Sequence, residues 1–318
     1  MSIHRNALPQ LSGTKFLTDS GLETTLVFHD GLELPCFASF DLLRTREGKA
    51  RILDYYRDHA RIAQSHGVGF LLETVTWRAN PDWGRKLGYS LKALEAANEE
   101  AVEMFLPLRD ELEADGTTAV ISGNIGPRGD GYKPGALMSV EEARDYHAWQ
   151  VGVLARQPVD MVAAFTLNYA NEATGIVLAA RDHDVPVAIS FTVETDGRLP
   201  SGQGLGDAIE EVDRKTDRHA AYFMINCAHP EHFEAVLDPR ADWIGRIRAV
   251  RANASRCSHA ELDEATELDA GNPAEMGQQY RELIRRLPNL SVLGGCCGTD
   301  HRHVAAIAMQ CMAAEGAA

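Results

Sequence analysis

The chain has no basic stretch, no long apolar run and no glycine-rich phosphate loop, and each absence removes a class of function. Its 31 Lys and Arg are outnumbered by 46 Asp and Glu, for a formal net charge of -15. No basic stretch is available to neutralise a phosphate backbone, which argues against nucleic acid as a partner. No segment approaches the roughly 18 consecutive apolar residues of a membrane span, and residues 1–13 lack the apolar core of a signal peptide. The protein is therefore expected in the cytoplasm, without a membrane partner. Cysteine is sparse, six in 318 residues and scattered, which is not the spacing of a disulfide scaffold and points to a reducing compartment. No Gly/Ser/Pro-rich linker divides the chain, so 1–318 reads as one domain. No coiled-coil seam marks an interface between copies.

What is there is an alternation. Apolar or β-prone runs fall at 16–18, 68–72, 119–122, 161–165, 185–191, 222–225, 243–247 and 290–293. Helical spacing lies between them, clearest in Leu91, Leu94, Asn98, Ala101, Phe105, Leu108 and Leu112. Ser139 with Glu142 makes a capping box, and Asn272-Pro273 a cap with a first-turn proline. Further helices are expected over 49–66, 171–182, 205–215, 230–237 and 301–312. Eight short continuous runs alternating with eight helices predict a single (β/α)8 TIM barrel of the α/β class. The rival, an open doubly wound sheet, lacks its G-x-G-x-x-G after the first strand.

In such a barrel the chemistry sits at the C-terminal strand ends. Those positions hold Asp19, Glu73, Asn124, Thr166, Glu194, Cys227, Asn253 and the pair Cys296-Cys297. Cysteines at the ends of the sixth and eighth strands would bring three thiolates together. Soft sulfur donors favour zinc, held at about 2.3 Å with a fourth tetrahedral position open. The alternative for any one of these thiols is packing, since free cysteine is among the most buried residue types. Cys36, Cys257 and Cys311 are assigned to packing. A vicinal pair bracketed by glycines, Gly294-Gly295-Cys296-Cys297-Gly298, is harder to explain that way, because glycines let the backbone turn tightly and aim both sulfurs at one point.

At these residues the chain resembles the homocysteine S-methyltransferase family, which includes betaine- and S-methylmethionine-dependent enzymes. The matching stretches are Gly294-Gly295-Cys296-Cys297-Gly298-Thr299-Asp300 with His303, Ile225-Asn226-Cys227, and Pro186-Val187-Ala188-Ile189-Ser190-Phe191. Looser matches are Gly123-Asn124-Ile125-Gly126-Pro127 and Asp19-Ser20-Gly21-Leu22. The resemblance implies a zinc ion on Cys227, Cys296 and Cys297, and methyl transfer from an onium donor to the zinc-bound thiolate of homocysteine, giving methionine. A coordinated thiol loses its proton outright. The chain is too short for added cobalamin- or folate-binding modules, so the transfer is expected to be direct.

Two departures bear on the substrates. The first-strand motif of relatives, Asp-Gly-Gly, reads Asp19-Ser20-Gly21 here, with the nearby acid displaced to Glu23. Where relatives carry a fourth-strand Glu for the homocysteine amino group, this chain has Phe165, followed by Thr166. Asp19, Ser20, Gly21, Glu23, Glu73, Asn124 and Thr166 are therefore the expected acceptor contacts, with Glu73 as the compensating carboxylate. Trp77, Trp83, Phe165 and Tyr169 could cage an onium group by cation–π attraction, of which Trp77, Phe165 and Tyr169 are taken as donor contacts. Residues 253–272 form a long acidic connection, read as a lid or as a solvated insertion. Rival readings are a zinc hydrolase, another thiol as acceptor, and a non-catalytic redox or zinc-storing protein in which Cys296 and Cys297 oxidise.

Overall fold

Eight short parallel strands close on themselves in the computed structural model, which describes residues 1–312. They are β1 (Phe16–Leu17), β2 (Gly69–Glu73), β3 (Ala119–Ile125), β4 (Met161–Leu167), β5 (Val187–Phe191), β6 (Tyr222–Asn226), β7 (Ile247–Ala252) and β8 (Val292–Gly295). Phe16 of β1 pairs with Gly69 on one side and Val292 on the other, and this closes the barrel. The expected TIM-barrel architecture is the one observed.

Both faces of the strands are covered, which is why each reads as an unbroken apolar run. Phe16, Leu71, Val120, Met161, Tyr222 and Met224 fill the barrel interior. Leu17, Phe70, Ile121 and Val162 point outward into the layer shared with the helices. The N-terminal segment plugs the lower mouth. Gln10 Nε2 donates to Met161 Sδ at 3.2 Å, and Asp160 accepts the Ile3 and His4 amides at 2.8 and 2.7 Å. The barrel's own cavity is thereby confined to the upper mouth, where the strands end.

The helices follow the expected positions with shifts at their ends. The helix over Arg46–His66 is capped by Thr45 and stops at Gly67, whose φ of 63° is the left-handed conformation glycine adopts without a Cβ clash. The amphipathic run through Leu91 divides into Leu91–Glu103 and Leu106–Ala114, because Pro107 starts a new helix instead of continuing the old one. The helix expected after β6 is reduced to a four-residue helical turn, Pro230–Phe233, and a 3-10 turn, Glu234–Val236. The expected seventh strand at 243–247 is corrected. Asp242–Arg246 is a 3-10 turn, and β7 begins at Ile247. No helix of the described residues is long and apolar enough to cross a membrane.

Candidate active site

The three cysteines expected at strand ends meet. Cys227 follows β6 directly and Cys296 follows β8, and the sulfurs of Cys227, Cys296 and Cys297 all lie within 4.8 Å of one another. Local backbone explains the convergence. Cys227 sits at φ 52° and Thr166 at φ 60°, conformations costly for side chains with a Cβ and tolerated where surrounding contacts over-determine them. Asn226 supplies those contacts. Its Oδ1 accepts from the Thr166 amide at 2.9 Å and from Ser190 Oγ at 2.6 Å, while its Nδ2 donates to Thr166 Oγ1 at 2.9 Å. On the other strand, a Cβ at Gly294 would collide with Thr18 and one at Gly295 with Thr299, so only glycine lets β8 run this close.

Cys227 and Cys296 are joined across the barrel mouth, with Cα atoms 5.4 Å apart, and Cys297 is free. The packing assignment of two other cysteines is corrected. Cys36 and Cys257 are exposed instead of packed, and Cys311 is half-buried. Burial pushes the Cys297 thiol up to about 11. A thiol so placed carries no charge at neutral pH unless a cation joins it. Three reduced thiolates on a tetrahedral zinc stand roughly 3.8 Å apart, within the observed spacing, so the residues fit such an ion. The disulfide and the ion exclude each other.

Around the sulfurs opens a cavity of about 520 Å³, in the range of small-ligand sites. Asp19, Ser20, Gly21, Glu23, Glu73, Asn124, Thr166, Trp77 and Phe165 all line it. Tyr169 does not. The β4–β5 register shifts between Ala164 and Leu167, which breaks the side-chain alternation. Tyr169 then caps the helix Ala170–Asp182, and its hydroxyl accepts the Met138 amide at 3.3 Å. The connection over 253–272 contributes Leu262, Asp263, Glu267 and Leu268 to the wall, and carries a short helix, His259–Glu264, with its own capping box at Ser258 and Glu261.

Four residues of the mouth were not singled out in the sequence. Arg251, on β7, is buried and pairs with Asp19 at 2.7 Å. Its Nε donates to Gly295 O at 3.0 Å and its Nη2 to Ser20 O at 3.1 Å, so one guanidinium ties the ends of β1, β7 and β8. Arg78 is buried between Trp77 and Trp83, 3.9 Å from each ring centroid. The aromatic cage expected for a ligand is thus filled in part by the protein's own cation. Tyr132 lies with its hydroxyl 3.6 Å from Cys297 Sγ and stacks on His259, centroids 4.1 Å apart. His259 Nε2 donates to Cys227 O at 2.7 Å, and its Nδ1 lies 3.1 Å from Glu194. His259 and Tyr132 together dock the acidic connection onto the sulfur cluster. Two further histidines lie inward: His59 is buried and meets Ser20 Oγ at 2.7 Å, and His229 is buried.

The electrostatics of the floor follow from burial. Desolvation raises Asp19 to about 6 and Glu73 to about 7, against the opposing pull of Arg251 on both. Burial also raises Glu23, whose carboxylate accepts from Ser39 Oγ at 2.7 Å. Ser122 also bonds the Glu73 carboxyl, while Glu73 Oε2 and Asn124 Oδ1 are shielded acceptors with no hydrogen-bond partner among the described residues. Two unmatched acceptors on adjacent strands fit a ligand rich in N–H donors.

Known proteins match this architecture along most of its length. The family model for homocysteine S-methyltransferase matches residues 16–311. Homocysteine S-methyltransferase 1 of Brassica oleracea var. italica is 21% identical over 314 residues, covering 92% of this chain and 91% of that protein. Homocysteine S-methyltransferase 3 of Arabidopsis thaliana is 25% identical over 55% of this chain and 50% of its own. The metallated form of the Escherichia coli homocysteine methyltransferase MmuM superposes with a TM-score of 0.71 at 20% identity, covering 95% of this chain and 99% of that one. Its oxidised form gives the same TM-score at 21% identity, covering 96% and 98%. With a matched span that includes all eight strands and all three clustered cysteines, the chain belongs to the homocysteine S-methyltransferase family.

Proposed function

We propose that the protein transfers a methyl group from an onium donor to the thiol of homocysteine, giving methionine, at a zinc ion held by Cys227, Cys296 and Cys297. The observation that carries this reading is the convergence of three sulfurs at the head of a cavity with unmatched acceptors in its wall. Zinc bound there supplies an open position at which a substrate thiol is held deprotonated. The chain's own residues do the rest. Glu73 Oε2 and Asn124 Oδ1 receive the acceptor's ammonium group, taking over from the fourth-strand carboxylate that Phe165 replaces. Asp19 and the Ser20-Gly21 backbone, fixed by Arg251, Tyr55 and His59, orient the amino-acid end. Trp77 and Phe165 close the cavity against water beside the reacting sulfur. The acceptor sulfur's electron pair forms the new S–CH3 bond as the donor's onium–carbon bond breaks. The released pair stays on the donor, now neutral, and the thiol proton goes to solvent.

The test is methionine formation, followed by mass spectrometry, with reduced zinc-loaded protein, homocysteine and each of S-methylmethionine, S-adenosylmethionine, betaine and a sulfonium propionate. Methionine from one of them is expected. None from any, with zinc bound, overturns the acceptor assignment. Glu73→Gln sharpens it: the loss of one charged hydrogen bond to the ammonium predicts a KM for homocysteine raised about 10- to 100-fold. The same change should stabilise the free protein above about pH 7. Glu73's raised affinity for a proton favours folding in acid, and that contribution disappears as pH rises through about 7. A variant with unchanged KM would remove Glu73 from the acceptor site.

A further inference from the structure

All three clustered cysteines line the cavity that a methyl donor must enter. Reduced and held as thiolates, they are nucleophiles in their own right, so a methylating site needs a reason to spare them. Each sulfur faces one side-chain donor. Thr166 Oγ1 lies 3.9 Å from Cys227 Sγ, Asn226 Nδ2 lies 3.9 Å from Cys296 Sγ, and Tyr132 Oη lies 3.6 Å from Cys297 Sγ.

The direction of these contacts is fixed by what stands behind them. The Thr166 amide can only donate, and it donates to Asn226 Oδ1 at 2.9 Å, where Ser190 Oγ also donates at 2.6 Å. The two N–H bonds of Asn226 Nδ2 are therefore turned the other way, one to Thr166 Oγ1 at 2.9 Å and one to Cys296 Sγ. Thr166 Oγ1 already accepts from Asn226, which leaves its own proton for Cys227 Sγ. Tyr132 Oη has no hydrogen bond among the described residues except the one to Cys297 Sγ. A thiolate has no proton to give, so here too the hydroxyl donates. Tyr132 is held from both sides. Asp130 Oδ1 accepts its amide at 2.8 Å, and its ring stacks on His259 of the acidic connection, which Lys133 also joins through Asp263 at 2.8 Å.

Resting on the methyl-transfer reading above, we infer that Thr166, Asn226 and Tyr132 are positioning residues that decide which sulfur is methylated, by screening the three that belong to the protein. A hydrogen bond donated to a thiolate draws charge from it, and weakens as methylation removes that charge. Each protein sulfur is thereby slowed toward an onium carbon, whereas a substrate thiolate brings no such donor with it. In the event so suppressed, the Cys297 electron pair forms an S–CH3 bond as the donor's onium–carbon bond breaks. The released pair leaves with the donor, and no proton moves. The product is a neutral thioether in place of a thiolate ligand, so unscreened sulfurs would strip the protein of its metal with use.

The experiment treats reduced, zinc-loaded protein with methyl iodide in the absence of homocysteine and maps each cysteine by peptide mass spectrometry. Zinc is measured in every sample, methionine formation is assayed in parallel, and exposed Cys257 serves as the internal rate reference. In Tyr132→Phe, methylation of Cys297 should run about 10-fold faster than in wild type, the share of one hydrogen bond to a charged group, with Cys227 and Cys296 unchanged. In Thr166→Val the gain should move to Cys227, and Thr166→Ser should remove it again. Loosened packing of the acidic connection would uncover all three sulfurs alike, so the site-by-site pattern separates screening from structure. Equal Cys297 rates in wild type and Tyr132→Phe, or a gain spread evenly over the three sulfurs, would overturn the proposal and leave methyl transfer standing where methionine still forms. A gain confined to Cys297 without methionine formation keeps the screening and removes homocysteine as the acceptor. Protein that binds no zinc overturns both.

Discussion

Replacing Cys297 by alanine is expected to take bound zinc from one ion per chain to none and to lower methionine formation at least about 10³-fold, since metal activation is worth several kcal/mol. The expectation rests on geometry more than on the sulfur count. Cys297 is the one member of the cluster outside the disulfide, and without it only two soft ligands remain, both able to close on each other. Burial holds its thiol protonated on its own, so it carries charge as a ligand only when a cation binds at the cluster. Zinc analysis by plasma emission and turnover on the same reduced sample check both parts. Cys311→Ala, on the helix His301–Cys311 and away from the cavity, should change neither. Wild-type protein with Cys227 and Cys296 oxidised should resemble the variant, and thiol reductant should restore it but not the variant. Full activity in Cys297→Ala would remove the metal from the proposal.

The barrel and the sulfur cluster were legible in the sequence because their signals are local. Each strand is a short apolar run with two buried faces, and Gly294-Gly295-Cys296-Cys297-Gly298 writes close approach and paired ligands into five consecutive residues. Arg251 was not legible. Trp243, Ile244 and Ile247 make a β-prone run, which drew the seventh strand too early. The true strand Ile247–Ala252 carries Arg248 and Arg251, charges that read as a loop until β1 and β2 bring Asp19 and Glu73 to meet one of them. Trp77 and Trp83 read in the sequence as a cage for an onium group, and in the fold they hold a cation of the protein itself. The cation is Arg78, adjacent to Trp77 in the chain, and that adjacency was the available signal. Tyr169 reads as a mouth aromatic by its type and its nearness to the fourth strand, and the register shift between Ala164 and Leu167 was not legible there.

Arg251→Met should destabilise the protein by about 3–5 kcal/mol at about pH 8, the range for removing one partner of a buried ion pair, and much less at about pH 5. Two carboxylates explain the pH dependence. In the intact protein Asp19 is raised from 3.8 to about 6 and Glu73 from 4.5 to about 7, with Arg251 already pulling both downward. For a carboxylate raised in the folded state, the folded chain holds the proton more tightly. Its contribution to stability is therefore present below the ordinary value and lost as pH rises through the folded one. Without Arg251 both rise further, so the cost of ionising them in the fold is largest in base and disappears once both are protonated. Denaturant unfolding of wild type and variant across this range measures the difference directly. Arg251→Lys keeps a charge near Asp19 but cannot reach Gly295 O and Ser20 O with one planar fork. It should recover most of the pH-dependent loss while still weakening zinc binding about 10- to 100-fold, as loss of an outer contact to a metal loop does. Equal destabilisation of Arg251→Met at all pH values would mean that Arg251 acts by packing alone, and would uncouple Asp19 and Glu73 from it.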